Sequence, residues 1–107
     1  MNHSDDSKCF GYISLVFFDD VTGEVVNIGG AGFLTEAEFA KAWGNVPEFI
    51  GKSNFQADHL DSHGDIVGEK TVDVVTCEFL TGKPITTLIA EGRAQLAAEL
   101  ASYRDAA

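Results

Sequence analysis

Basic residues are scarce in this chain of 107: seven Lys and Arg stand against seventeen Asp and Glu. The resulting net charge of −10 repels phosphate backbones and anionic bilayers, so direct nucleic-acid binding and membrane-surface binding are disfavoured. The same field attracts cations and basic proteins, and it keeps a small domain soluble. The carboxylates are spread from Asp5 to Asp105 with no acidic block that would form a tail.

Long hydrophobic runs are missing too. The longest apolar run without a charge, Phe10 to Phe18, has nine residues, against the roughly 20 needed to cross a bilayer. The opening residues are polar and partly acidic, with no basic segment leading into an apolar one, so a cytoplasmic protein without a secretion signal is expected. Cysteine is limited to Cys9 and Cys77, far apart and in neither C-x-x-C nor Cys-His spacing. Both fall in apolar runs, which points to reduced, buried thiols of an intracellular protein. Phosphate-binding and dinucleotide fingerprints are absent: Gly29-Gly30-Ala31-Gly32 lacks the Lys-Ser/Thr of one and the spacing of the other. The calcium-loop template fails as well.

What is present is enough for one core. Apolar residues make up 45% and aromatic residues 10%, with a mean hydropathy of +0.03. The expected organisation is a flexible N-terminus over 1–8 and a single domain over 9–107. Cys9 to Phe18 is rich in β-branched and aromatic residues at both parities, as in a central strand. Asp19 to Gly23 supplies turn chemistry, and Glu24 to Ile28 continues as the second strand of a hairpin.

Thr35 and Glu38 form a capping box, with Leu34 and Phe39 as its hydrophobic staple. The helix they open runs to about Trp43, where Gly44 and Pro47 stop it. Lys52 to Leu60 reads as a third strand and Glu69 to Leu80 as a fourth, in which Lys70, Val72 and Val74 alternate with Glu69, Thr71 and Asp73. Asp61 to Gly68 joins them as a turn. Ile85, Leu88, Ile89, Leu96, Leu100 and Tyr103 lie at helical spacing after Pro84, although Pro84 to Ala90, with Ile85, Thr86, Thr87 and Ile89, also suits a fifth strand. The fold class is therefore α+β: an antiparallel four-stranded sheet in β-β-α-β-β-α order, with two helices packed on one face.

Three sets of residues are candidates for function. Asp58-His59-Leu60-Asp61-Ser62-His63-Gly64-Asp65 packs five ionisable side chains into eight positions. If the third strand continued through it, His59, Asp61 and His63 would share a face and offer ligands to a divalent transition metal, with Asp58 or Asp65 assisting. That arrangement would suit a metal-binding protein or a metal-dependent hydrolase. The competing interpretation is a solvated hairpin end, since Asp and Gly favour turns. Tyr12, Phe33 and Trp43 provide aromatic lining for a small-ligand pocket, and are equally ordinary core residues.

Phe17 and Phe18 face opposite ways in a strand, so one of them needs cover outside the helix layer; with Val75 and Phe79 it would form the seam of a homodimer. Neither cysteine has a base beside it, and Glu78 would raise the pKa of Cys77, so a nucleophile is not indicated. With no convincing catalytic constellation, the expected function is that of a small acidic binding module acting through a protein partner, for which the charge favours a basic one. A metal-dependent protein and a small-ligand-binding protein are the alternatives.

Overall fold

A computed structural model describes residues 10–106, with side chains through residue 103. The expected N-terminal segment 1–8 and Cys9 lie outside the described residues. The elements run β1 (Gly11–Phe18), β2 (Val25–Phe33), α1 (Glu36–Gly44), β3 (Phe55–Asp61), β4 (Ile66–Val72), α2 (Val74–Thr81) and α3 (Ile85–Ala106). The four strands form an antiparallel sheet in the order β2-β1-β3-β4. The α+β class stands, with three helices among the described residues instead of two.

The hairpin at its start is set by Asp19. Its buried carboxylate accepts from the amides of Val21 and Thr22, and Gly23 takes the positive φ of 79° that closes the turn. β2 does not end at Ile28 but continues through the glycines to Phe33, in register with Gly11. A Cβ at Gly30 would lie 2.8 Å from the Ile13 carbonyl oxygen. At Gly30 the strand is thus too close to β1 for a side chain, and a bulge opposite Leu15 and Val16 shifts its register.

Ile13 and Leu15 of β1, Val26 and Ile28 of β2, Phe55 and Ala57 of β3 and Val72 of β4 form the floor of the core. Phe39 from α1, Cys77 from α2 and Leu88 from α3 pack onto that floor, so the three helices cover one face. The capping box forms as expected, with the Glu38 amide donating to Thr35 Oγ1 at 3.1 Å. Its staple does not close, because Leu34 is 63% exposed. At the other end of α1, Lys70 Nζ donates to the carbonyls of Trp43 (2.6 Å) and Val46 (2.9 Å). A cation there satisfies the helix's terminal acceptors and complements its dipole.

The fourth strand is shorter than its alternation suggests. It ends at Val72, and the residues expected to complete it, Val74 to Leu80, are helical. Asp73, expected on a wet strand face, is the N-cap of α2 and accepts from the Thr76 amide at 3.0 Å. Gly82 at φ 72° closes the helix by donating to the Glu78 carbonyl. The cap chemistry outweighs the β-branched run Val74-Val75-Thr76, whose helical disadvantage is only a few tenths of a kcal/mol per residue. Glu78 then accepts from the Ile85 amide at 2.6 Å and starts α3, so residues 85–89 are helix and not a fifth strand.

α3 is seated on the edge strand β2 at Gly92. A Cβ there would stand 2.4 Å from the Asn27 carbonyl oxygen and 2.6 Å from Val26 Cγ1. The next residue, Arg93, pairs with the carboxylates of Asp19 and Glu24 across the hairpin. The Arg93 guanidinium, with the amides of Val21 and Thr22, holds the Asp19 carboxyl at a pKa of about 2 against the opposing effect of burial.

Two expected outcomes follow from this seating. Gly92→Ala gains about 1 kcal/mol of intrinsic helix propensity but overpacks a contact that is backbone on one side, costing about 1–3 kcal/mol. The net effect is a loss of stability in urea unfolding; a gain would mean that α3 does not rest on β2. The Asp19 interaction adds its full stability above the ordinary carboxyl value of 3.8 and loses it as pH falls from there toward 2. Arg93→Ala should therefore raise the Asp19 titration midpoint seen by carboxyl NMR and bring acid unfolding to higher pH.

Candidate functional site

The His-Asp segment divides at Asp61, where β3 stops. The Asp61 carboxylate accepts from the backbone amides of His63 (2.9 Å) and Asp65 (3.0 Å), and Gly64 follows at φ 87°. These bonds make a tight turn, and that of Asp65 leads in lowering the Asp61 pKa, against the effect of burial. The strand therefore does not carry His63 onto the face of His59.

His59 points into the helix layer, its ring 4.0 Å from that of Phe39 and 5.6 Å from that of Trp43. His63 and Asp65 are exposed in the turn, while Asp58 is buried on the opposite side of the sheet and accepts from Gln56 Nε2. Among the described residues, no three His, Cys, Asp or Glu side chains gather into a group able to hold a metal ion.

The pocket residues separate in the same way. Trp43 stacks on Phe39 and lies beneath the Lys70 ammonium, 4.7 Å from its ring centroid. Tyr12 is on the outer face of the sheet, and only Phe33 reaches a cavity on the helix side. That cavity, of about 480 Å³, has an apolar floor of Ile13, Leu15, Ile28 and Phe33 beneath Ala42, Val46 and Leu88. Asn27, Lys83, Glu91 and Gln95 border it, with Lys83 and Glu91 paired at 3.0 Å.

The expected seam of Phe17, Phe18, Val75 and Phe79 is not one surface. Phe17 turns inward and stacks on Phe55 with centroids 5.1 Å apart, whereas Phe18 turns outward and is 37% exposed. Phe18 has Val25 opposite it in register, and further along, the outer sheet face is polar, with Asn27 Nδ2 donating to Ser14 Oγ at 2.7 Å and Asp58 beside Gln56. Val75 and Phe79 belong to α2. Four residues apart, they lie about 40° from each other around that helix and roughly opposite Cys77. They are 70% and 83% exposed. An outward-facing apolar pole on a helix already apolar inward is surface that calls for cover.

A further surface was legible only in what it lacks. β2 is an edge of the sheet, and its nine residues include no charge and no proline. The opposite edge, β4, carries Glu69 and Lys70, and the Phe49 amide donates to its Thr71 carbonyl at 2.7 Å. The unbroken neutral stretch from Val25 to Thr35 is the sequence signal for this difference. The chain matches no family model, no curated protein and no solved structure.

Cys77 has no exposed surface, and burial first, then the charges of Asp73 and Glu78, raise its thiol to about 11. A thiol so buried and so weakly acidic is a packing element and a poor nucleophile. With Cys9 replaced by Ser, thiol-disulfide reagents near neutral pH should label native protein only at the rate of its opening. Rapid labelling in the absence of denaturant would show that α2 does not bury this side chain.

Proposed function

We propose that this chain is a binding module that acts through protein surfaces, and that the partner its β2 edge accepts is a second copy of itself. The observation that carries this reading is the composition of the edge. Edge strands are ordinarily blunted by lysine, proline, bulges or cover, because unpaired backbone groups recruit another strand. Of these devices, β2 has its bulge and, on one face only, the cover of α3. Two chains of −10 repel each other through most of their surface. Along Val25–Phe33 that repulsion is weakest, and antiparallel pairing of β2 with its copy adds main-chain hydrogen bonds without burying a carboxylate.

The expected affinity is modest. Each added hydrogen bond contributes about 0.5–1.5 kcal/mol, and association costs about 4–15 kcal/mol. A dissociation constant of ~1–100 μM is consistent with that balance. Because the opposing term is like-charge repulsion, the dimer strengthens as salt rises.

A second reading is favoured by the α2 pole. Val75 and Phe79, on a helix that also carries Glu78 and is capped by Asp73, present an apolar contact with acidic neighbours, which suits a basic partner.

Sedimentation of wild type, Val25→Lys, Ala31→Lys and Val75→Ser/Phe79→Ser, at high micromolar concentration in moderate salt, separates the two surfaces. The edge reading expects wild type and the α2 variant to dimerise and both lysine variants to be folded monomers. Each lysine lowers the net negative charge, so weakening cannot come from overall repulsion. A monomeric wild type, or a dimer lost only in the α2 variant, would overturn it.

A further inference from the structure

The geometry points to the cavity between α3 and the edge strand as a binding site for an uncharged, mainly apolar small molecule with one hydrogen-bonding end. This inference stands apart from the pairing of β2, since the cavity opens on the helix side of the sheet and exists within one chain. Its volume of about 480 Å³ is in the range of ligand sites. It is far larger than the voids that a close-packed core of this size leaves.

The space is created by the backbone. Gly29 sits at φ 152° with Thr81 Cγ2 3.2 Å from where its Cβ would be, so it admits no side chain that would fill the space. On the opposite wall stands Ala42, again a small residue. Water entering over the apolar floor would find few partners there, which favours an apolar occupant.

Charge selects among apolar ligands. Lys83 and Glu91 neutralise each other at the border, so neither an anion nor a cation finds an unpaired counter-charge. A buried charge without a partner is strongly disfavoured, whereas a neutral ligand leaves the pair intact. The amide of Gln95 at the same border can serve one polar group, donating or accepting. The close approach of the helix layer to β2 at Gly29 and again at Gly92 argues against a polypeptide strand as the occupant.

The test uses N-phenyl-1-naphthylamine, a neutral aromatic amine whose fluorescence rises in apolar surroundings, with its sulfonated relative 1-anilinonaphthalene-8-sulfonate as the charged comparison. Wild type should bind the neutral dye saturably at one site per chain, independently of salt, and at least about tenfold more tightly than the sulfonate. Ala42→Phe fills the cavity, and Gln95→Trp blocks its mouth from an exposed position where folding is not at stake. Each should weaken the dye by about tenfold or more, while Val75→Ser/Phe79→Ser leaves it unchanged. Absence of saturable binding, equal or tighter binding of the sulfonate, retention of wild-type affinity in Gln95→Trp, or loss of binding only in the α2 variant would overturn the assignment.

Discussion

The approach of α3 to β2 at Gly92 is the constraint on which the rest of the molecule depends. With no side chain at that point, a long helix lies against the carbonyl of Asn27 and brings Leu88 down into the core. The same approach puts Arg93 over the hairpin, where Asp19 is at once the organiser of a turn and the buried half of an ion pair. One carboxylate thereby couples a local turn to a helix 74 residues further along the chain. Such a link is sensitive to acid because its strength resides in the charged form.

Seating the helix this way leaves two consequences at the same strand. Between the contact points at Gly29 and Gly92 the layers do not fill the space, because β2 and α1 present glycine and alanine there. Beyond the helix, the outer edge of β2 has no strand next to it among the described residues and no charge to discourage one. The small, uncharged residues of this strand leave the core beside it unfilled and its edge unblunted. Cavity and bare edge thus have one physical origin.

The charged residues elsewhere are used for local order. Asp73 and Thr35 cap helices, Asp61 closes a turn, Glu78 starts α3 and Lys70 ends α1. The densest ionisable segment of the chain, 58–65, belongs with these. Its composition suits a metal site and a hairpin end equally, and what separates them is where β3 stops. That point is fixed by backbone amides folding over the Asp61 carboxylate, an event that residue types alone do not specify.

Sequence by itself determined the hairpin, the start of α1, the helical stripe of α3 and the α+β class, because turn residues, capping boxes and hydrophobic periodicity act over a few neighbouring positions. It misplaced Val74–Thr81, where alternation continued past Val72 but an Asp cap and a glycine stop made a helix instead. It also read Gly29–Gly32 as the end of a strand, since the Ile13 carbonyl that requires glycine lies in another strand. Only the tertiary structure decided that β2 is an edge, that His59 stacks inside while His63 is in a turn, and that Phe33 alone of the three expected aromatics reaches the cavity. Those outcomes depend on strand order and on how closely two layers approach, and both are set by contacts between residues far apart in the chain.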